Sequence, residues 1–436
     1  MKRRLILFAL TLSLLAGGAC HGATIQPPPT PTLLLLQPVS EDALVIENGT
    51  VITGTGSDPI PNGIVVIRGD RIVAVGLRTD FAIPSSAQVI DAKGGTILPG
   101  MINAHAHGVS NPAVRRVSFL LKGVTSVCDM GSPLVQMPEF AQDYKSGPAA
   151  RGFKSGPIIT VPDGYPDAVW HMGFNYEVAN SDEAQAAVTD LVNRGADVIK
   201  IALEPGGEGY RWPMLDLTLV QAIVQEAHAH GKLVRAHVGS TKGTDLLSIV
   251  LNSGVDAIEH APVPIFSASE AYALFNDSQP YTMPPTDKDI LAQLAAQHRF
   301  MVPTLTAYEP LCQSSDLTPE HKQECYQFIE GPVRVFHALG GTVALGNDYG
   351  AGDAVVGGMP LREMQLLLAS GLTPMDVIEA GTRNAAQVCG HGGELGTLEP
   401  GKLADVLILD GDPLADIETL SKVVVVMKGG QIVFPE

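Results

Sequence analysis

The sequence predicts an α/β fold, a (β/α)8 TIM barrel with a small β-sandwich domain that is built from both termini of the chain. Apolar, strand-like runs alternate with helical segments through the middle of the chain, and this alternation favours a parallel sheet. Eight such runs with intervening helices, spread over about 290 residues, match the strand count and the length of this barrel. The predicted strands are residues 97–104, 124–130, 157–161, 197–203, 233–238, 255–260, 300–304 and 342–347.

The two ends of the chain carry short strands without helices between them. Gly69-Asp70 and Gly429-Gly430 separate neighbouring runs and are typical of tight hairpin turns. We therefore predict that residues 43–98 and 386–436 form the two parts of one β-sandwich domain, and that residues 99–385 form the barrel. The strand-like runs in these end regions are residues 43–46, 63–68, 71–75, 88–90, 403–409 and 422–433.

Four helix starts in the middle region are marked by capping residues. Ser181 opens one helix, and the segment 286–289 resembles a capping box. Thr318 and Thr373 each precede a proline, which places a cap residue before a first-turn proline. These signals support helices between the predicted strands.

The N-terminus has the pattern of a secretory signal peptide. Basic residues at positions 2–4 precede an apolar run at 5–15, which is shorter than the roughly 20 residues that cross a membrane. Small residues then lead to Cys20, which resembles a bacterial lipoprotein cleavage site, although plain cleavage after Ala19 fits as well. We predict a signal peptide at 1–19, a linker at 20–42 and an exported protein. It is periplasmic, an outer-membrane lipoprotein anchored at Cys20, or secreted.

Composition excludes two broad classes of protein. Of the 436 residues, 45% are hydrophobic and 17% are charged, which excludes a disordered chain. The net charge is −18, and no basic cluster follows the first four residues. Phosphate binding needs clustered Lys and Arg, so nucleic acid is excluded as a partner.

The cysteines allow one disulfide bond. Cys312 and Cys325 lie in one predicted loop-helix segment and are the only plausible pair in an exported chain. The spacing leaves open whether they are bridged or free. Cys128 and Cys389 lie in apolar contexts that are typical of inert core thiols.

Six side chains at the ends of predicted strands indicate a metal site. His105 and His107 end the first strand, and residues i and i+2 of a strand point to the same face. Two imidazoles side by side form half of a transition-metal site. Lys200 is either a structural ion-pair residue or a lysine that CO₂ has carbamylated into a bridging carboxylate. The remaining candidates at strand ends are His237, His260 and Asp348.

These stretches resemble the amidohydrolase superfamily, in the group that includes imidazolonepropionase-like proteins and metal-dependent Xaa-Pro and Xaa-Arg dipeptidases. The resemblance extends from residue 43 to residue 436. The stretches that carry it are residues 98–107, 196–201, 234–237, 257–261, 346–348 and the tail 396–410.

The resemblance implies a binuclear site with two divalent metal ions, most commonly zinc, with manganese or cobalt as substitutes. A hydroxide and the carbamylated Lys200 would bridge the ions, and Asp348 would carry the proton to the leaving nitrogen. The implied ligands are His105, His107 and Asp348 for the first ion and His237 and His260 for the second.

Further residues are expected around the substrate. His171, in the loop after strand three, matches a loop histidine that faces the substrate in the dipeptidase group, although the local sequence departs from the usual pattern. Tyr210 and Arg211 follow strand four, where Arg211 either binds a substrate carboxylate or is a solvated loop residue. Arg235, two residues before His237, is expected to be buried and paired, with Glu259 or another core acid.

The leading hypothesis is an exported binuclear amidohydrolase that cleaves a dipeptide or an N-acyl amino acid, including an aromatic amide of the ochratoxin type. The alternatives are a mononuclear cyclic-amide hydrolase or deaminase and a lactonase. Members of the mononuclear group usually lack the strand-four lysine, so Lys200 argues against that class. The expected partner is a small-molecule amide, and the resemblance further implies a homo-oligomer.

Overall fold

A computed structural model describes residues 36–110, 116–141, 147–170, 173–206, 211–241, 245–264, 273–275, 282–350 and 357–434. None of the helices in these ranges is long and apolar enough to cross a membrane. The helices are Val117–Leu120, Asp167–Trp170, Ser181–Asn193, Leu217–Ala229, Leu246–Ser253, Pro285–Ala296, Leu305–Cys312, Pro319–Ala338, Leu361–Ala369, Pro374–Glu379 and Ala385–Val388.

The strands are numbered in chain order. Those of the N-terminal region are β1 Gln37–Pro38, β2 Leu44–Val51, β3 Ile60–Arg68, β4 Arg71–Leu77, β5 Phe81–Ala82, β6 Gln88–Asp91 and β7 Thr96–Pro99. Those of the middle region are β8 Met101–Ala106, β9 Val124–Asp129, β10 Arg151–Lys154, β11 Ile158–Thr160, β12 Asn175–Glu177, β13 Ile199–Leu203, β14 Val234–Val238, β15 Ala257–Glu259, β16 Phe300–Val302 and β17 Thr342–Val343. Those of the C-terminal region are β18 Val406–Leu409, β19 Val423–Lys428 and β20 Gln431–Phe434.

Both ends of the chain contribute to one eight-stranded sheet, here called the terminal sheet. Its strand order is β20-β19-β18-β7-β2-β3-β4, and β6 pairs with β2. β7 and β18 join the two halves of the sheet and run antiparallel. The predicted hairpin turns at Gly69-Asp70 and Gly429-Gly430 are confirmed, because they connect β3 to β4 and β19 to β20.

The middle of the chain alternates parallel strands with helices, as the sequence predicted. Two parallel sheets have the strand orders β10-β9-β8 and β12-β11-β13-β14-β15-β16-β17. β10 and β11 follow each other closely, separated by residues 155–157, and so connect the two sheets along the chain. At the opposite edges, the Ala104 amide of β8 donates to the Leu345 carbonyl (2.8 Å), and the His107 amide donates to the Tyr349 carbonyl (2.6 Å).

Helices cover these strands through apolar stripes. In Ser181–Asn193, the buried residues Ala184, Ala187, Val188 and Leu191 follow helical spacing. All five residues of β13 are buried, as expected for a strand covered on both faces. The sequence pattern thus predicts which faces form the core.

The helix starts agree with the sequence in three of four places, although the cap of the helix that begins at Ser181 is Asn180. The side chains of Asn180, Thr318 and Thr373 each accept a hydrogen bond from a backbone amide in the first turn. The capping box predicted at 286–289 is wrong: that helix begins at Pro285, after Pro284, without a side-chain cap. Proline needs no hydrogen-bond partner for its nitrogen in the first turn, so a cap there is dispensable.

Two strand predictions need correction. The predicted first strand, 97–104, is two strands, because β7 pairs in the terminal sheet and β8 pairs with β9. Gly100 separates them, and a Cβ atom at this position would lie only 2.4 Å from the Thr125 side chain. The sequence also gave no sign of β10, whose Arg151 and Lys154 interrupt the apolar pattern. Arg151 is nevertheless buried, because it forms an ion pair with Asp405.

The pair Cys312 and Cys325 forms a disulfide bond, which settles the alternative that the spacing left open. The bond links the helices Leu305–Cys312 and Pro319–Ala338. Cys128 and Cys389 are buried free thiols, as predicted.

Candidate metal centre

Five of the six side chains predicted as metal ligands line one cavity of about 260 Å³, and the sixth, His105, lies against His107. His105 lies in β8 and His107 directly follows it. His237 is the fourth residue of β14, and His260 directly follows β15. The predicted ligands that line the cavity are His107, Lys200, His237, His260 and Asp348.

Two of these residues have a backbone conformation that is uncommon for residues other than glycine. The φ angles are 72° at His260 and 56° at Asp348. Asp348 is held against the first strand, because its amide donates to the His105 carbonyl at 3.0 Å. Left-handed backbone at residues with large side chains is concentrated at functional sites, where the surrounding structure enforces it.

Three donor atoms form a nearly equilateral triangle at the end of β8. The distance from His105 Nε2 to His107 Nε2 is 3.3 Å, and Asp348 Oδ1 lies 3.5 and 3.2 Å from the same two atoms. Ligands that bind a four-coordinate zinc-type ion at roughly 2.0–2.1 Å are separated from each other by about 3.3–3.4 Å. The triangle therefore has the dimensions of one face of a coordination tetrahedron.

The burial of Asp348 fits a cation at this triangle. Its Oδ1 atom is buried and accepts no hydrogen bond from the described residues. A buried carboxylate oxygen without a partner is costly unless a cation neutralises it. Burial disfavours the charge on Asp348, but the neighbouring His107, His105 and His260 outweigh it and hold the pKa of this carboxyl well below its usual range. His105, His260 and Asp348 can also each present one donor atom within 4.8 Å of the others.

His105 is oriented from behind by a buried acid. Glu259 contacts His105 Nδ1 and also accepts a hydrogen bond from Arg235 Nε at 2.6 Å. Burial disfavours the charge of Glu259, but Arg235, Lys200 and His105 outweigh it and keep its pKa well below the usual range. Burial, followed by the charge of Lys200, lowers the pKa of His105 to about 4. His105 is therefore neutral, and its Nε2 atom is directed at the triangle. The expected pairing of Arg235 with Glu259 is present.

Of the second pair of histidines, His260 is oriented in a similar way. His260 Nδ1 lies 2.7 Å from the Thr304 hydroxyl, which leaves its Nε2 atom for an ion. The rings of His237 and His260 are 4.4 Å apart, and the Tyr165 ring stacks on His237 at 4.6 Å. His237 Nε2 lies 3.4 Å from Glu204 Oε2.

Lys200 lies further from the carboxyl end of its strand than the sequence predicted. It is the second residue of β13 rather than the last, and it is level with Arg235 of β14. Its long side chain still lines the cavity. Burial lowers the pKa of Lys200 to about 8.

Of the three predicted substrate contacts, only Arg211 lies within the described residues. His171 and Tyr210 lie outside the described residues. Arg211 is exposed and does not belong to the described lining of the cavity.

Three residues with titratable side chains line the cavity without having been assigned a role from the sequence. They are Tyr165, Glu204 and Tyr308. Glu204 directly follows β13, and a position just past a parallel strand is the one signal that pointed to it.

Comparison with known proteins identifies the family of the chain. A profile described as the amidohydrolase family matches residues 96–433. Imidazolonepropionase from Symbiobacterium thermophilum is 23% identical over 425 residues, covering 84% of this chain and 91% of the relative. A 5-methylthioadenosine/S-adenosylhomocysteine deaminase from the same organism is 24% identical over 416 residues, covering 85% of this chain and 86% of the relative.

Solved structures share the fold. A prolidase complexed with N-methylphosphonate-L-proline has a TM-score of 0.69 at 23% identity, covering 90% of this chain and 99% of that one. Ochratoxinase from A. niger has a TM-score of 0.69 at 22% identity, covering 90% of this chain and 95% of that one. Because the family profile spans most of the sequence, including every predicted ligand, the chain belongs to the amidohydrolase family.

Proposed function

We propose that this protein is an exported, binuclear metal-dependent amidohydrolase that cleaves the amide bond of a dipeptide or an N-acyl amino acid. As a member of its family, it is a hydrolase that acts on carbon–nitrogen bonds. The observation that carries the proposal is the triangle of His105, His107 and Asp348 donor atoms, because it opens on the cavity that Lys200 also reaches.

In this proposal the chain holds two divalent ions, most commonly zinc. Lys200, carbamylated by CO₂, would join the two ions. When bound, such ions activate water for attack and polarise the scissile carbonyl. The proposed ligands are His105, His107 and Asp348 for one ion, and His237 and His260 for the other.

Asp348 is the proposed proton carrier. Its Oδ1 atom is one corner of the donor triangle, and the residue borders the cavity where a substrate amide would lie. A carboxylate there can accept a proton from the attacking water and deliver it to the leaving nitrogen. His171 remains a proposed substrate contact, as do Tyr210 and Arg211.

The cavity wall supports an amide with an apolar or aromatic flank. Tyr165 and Tyr308 line it together with apolar residues, and aromatic rings bind flat apolar groups well. The fold similarity to a prolidase and to ochratoxinase is compatible with a dipeptide or an aromatic amide. The apolar members of the wall are Ile158, Val238, Ala307, Pro310 and Leu311.

The finer architecture belongs to the same proposal. Hydrogen bonds from β8 to residues 345–349, and the direct succession of β10 and β11, support a closed (β/α)8 barrel. We further propose that the terminal sheet is the β-sandwich domain, that residues 1–19 direct export with Cys20 as a lipid anchor, and that the protein is a homo-oligomer. Mass spectrometry of the mature N-terminus would test the export signal and the anchor.

A second candidate is hydrolysis of a cyclic amide, or deamination, with a single ion. Sequence similarity to imidazolonepropionase and to a deaminase favours it. The two candidates differ in Lys200, which a mononuclear enzyme would not need as a ligand.

The test combines metal content with hydrolysis. Protein purified without chelator in bicarbonate buffer should carry two zinc-type ions, and it should release amino acids from a panel of dipeptides and N-acyl amino acids. Asp348→Asn should remain folded and lose hydrolysis, and Lys200→Ala should lose much of the metal. One ion in both the wild type and Lys200→Ala, with turnover of cyclic amides only, would overturn the binuclear proposal.

A further inference from the structure

Two asparagine side chains meet in the protein interior next to the donor triangle of the candidate metal centre. Asn103 lies in β8, two residues before His105, and Asn347 directly precedes Asp348. Asn103 has no solvent exposure, and Asn347 is 3% exposed. The Asn103 Nδ2 atom donates to Asn347 Oδ1 at 2.7 Å. The proposed ligand set includes neither residue, although together they join two of the segments that supply the triangle.

The direction of this hydrogen bond follows from the backbone beside it. The His105 amide donates to Asn103 Oδ1 at 3.2 Å, and a backbone N–H can only donate. The side-chain atom of Asn103 that accepts this bond is therefore the oxygen, so its nitrogen faces Asn347. Because that nitrogen can only donate, Asn347 must present its oxygen. One chain of hydrogen bonds thus connects the His105 backbone through Asn103 to Asn347.

The pairing of β8 with β9 is irregular at this point. From Asn103 to Ala106, β8 advances three residues, while β9 advances two, from Val127 to Asp129. Such a bulge changes the direction in which nearby side chains point, and bulges are frequent next to active sites. His105 lies within the bulge, and its amide is the one that donates to Asn103. The Asn103 side chain therefore holds the irregular segment that directs His105 at the triangle.

The segment that carries Asp348 is packed closely against the same part of β8. A Cβ atom at Gly346 would lie 2.6 Å from His105 Cβ, so only glycine allows this approach. The Asp348 amide donates to the His105 carbonyl at 3.0 Å. The bond between Asn103 and Asn347 adds a side-chain link to these backbone contacts. A change in the asparagine pair would therefore move His105 and Asp348 relative to each other.

We propose that Asn103 and Asn347 are positioning residues for the first metal ion. In this role neither binds the ion itself. The pair sets the separation of His105 Nε2 and Asp348 Oδ1, which are 3.5 Å apart. Two ligands of a four-coordinate zinc-type ion are separated by about 3.3–3.4 Å, so a displacement of either donor weakens the ion. The inference rests on the proposed metal centre, but not on its second ion.

The test measures the affinity of each ion in variants of the pair. Wild type, Asn347→Leu, Asn347→Asp and Asn103→Leu are titrated with Zn²⁺ against a chelator of known affinity, and the visible absorption of the Co²⁺-loaded proteins is recorded. Asn347→Leu removes the acceptor at similar size, whereas Asn347→Asp keeps an acceptor oxygen in the same place. His107→Ala, which removes a proposed ligand, identifies the first ion in the titration.

Asn384→Leu is the matched control. Asn384 is also buried, and its Nδ2 atom donates to the Val343 carbonyl at 2.9 Å, outside the described lining of the cavity. The control therefore removes one buried amide hydrogen bond without touching the metal centre. Its free energy of unfolding in urea should fall, and its affinity for both ions should not change.

We expect Asn347→Leu to weaken the first ion about 10–100-fold, which is the usual cost of losing a residue that orients a ligand. The second ion should be unchanged, the Co²⁺ spectrum should differ from that of the wild type, and Asn347→Asp should restore most of the affinity. The double variant Asn103→Leu and Asn347→Leu should lose no more than Asn103→Leu alone, because that substitution already breaks both hydrogen bonds.

Four results would overturn the inference and leave the metal centre intact. They are an unchanged first ion in Asn347→Leu, equal weakening of both ions, equal losses in Asn347→Leu and Asn347→Asp, and losses that add in the double variant. A wild type that binds a single ion would overturn the binuclear proposal, while weakening of that ion in Asn347→Leu would still support the inference and an unchanged affinity would overturn it. A wild type that binds no ion would overturn both. If a leucine variant does not fold, the alanine variant at the same position replaces it and should weaken the same ion.

Discussion

Arg235 and Glu259 form an ion pair without solvent exposure, their Nε and Oε1 atoms 2.6 Å apart. Each member of the pair makes a further contact. Glu259 also contacts His105 Nδ1, and Arg235 donates to the Ala104 carbonyl at 2.8 Å. A proposed ligand is thus oriented by a charge that is itself neutralised in the core. Orientation of this kind fixes which ring nitrogen of the histidine is available to a metal.

Replacing Glu259 by Gln should reduce both stability and metal affinity. Arg235 would become an uncompensated buried charge, which costs about 3–5 kcal/mol. His105 would lose its acidic partner, which should weaken binding of the proposed first ion about 10–100-fold. Urea unfolding and chelator competition measure the two effects. Asp190→Asn removes the exposed pair with Arg194 and should change stability by less than about 1 kcal/mol; equal losses in both variants would contradict the argument.

Thr304 should control the affinity for the proposed second ion through His260. Its hydroxyl lies 2.7 Å from His260 Nδ1, so Thr304→Ala should weaken the second ion about 10–100-fold. Thr304→Ser keeps the hydroxyl and serves as the control, with affinity close to that of the wild type. The argument fails if both substitutions weaken the ion equally, because the effect would then come from the lost methyl group.

Glu363 should make stability fall with rising pH. It is buried and accepts hydrogen bonds from the Leu305 and Thr306 amides, at the start of the helix that carries Tyr308. Burial raises its pKa from 4.5 to about 7. Between these values the folded protein keeps a proton that the unfolded chain has released. The contribution of Glu363 is therefore complete below about pH 4.5 and is lost as pH rises through 7.

The variant Glu363→Gln isolates this contribution. Unfolding free energies measured in urea at pH 5 and at pH 8 should differ less in Glu363→Gln than in the wild type, by up to roughly 3 kcal/mol. Glu418→Gln, an acid outside the metal centre, is the control. An identical pH dependence in the wild type and Glu363→Gln would show that the Glu363 proton is not coupled to folding.

Removing the disulfide bond should destabilise the wall of the cavity. Cys312 and Cys325 are 13 residues apart, and closing a loop of this length stabilises a fold by about 3 kcal/mol. The double variant Cys312→Ser and Cys325→Ser should show this loss in thermal or urea unfolding. Reduction of the wild type should reproduce it, whereas reduction of the double variant should change nothing.

The sequence predicted most of the parallel strands because each carries a mainly apolar run, even where the run includes Lys200 or Arg235. The runs around Ile199 and Val234 are buried on both faces, so their pattern is unambiguous. β10 was missed because its Arg151 is neutralised by Asp405, a partner 254 residues away that no local pattern reveals.

Within the candidate site, histidines at strand ends could be recognised from position alone, because strand direction sets where their side chains point. Glu204 could not be interpreted in this way. Its orientation depends on the Gly206 amide and on the absence of a side chain at Gly239, and both belong to the folded chain rather than to the motif. The position of Lys200 along its strand, next to Arg235, likewise follows from the pairing of β13 with β14.

Gly100 is the only residue between the terminal sheet and the strand that carries His105. Its amide donates to the Asp405 carbonyl at 3.0 Å, and Lys428 of β19 donates to the Ala149 carbonyl at 2.6 Å. The terminal sheet therefore cannot be exchanged without affecting the strand that carries His105. A chimera that took this sheet from a relative would shift the backbone that positions the proposed ligands His105 and His107, unless residues 96–107 were transplanted with it.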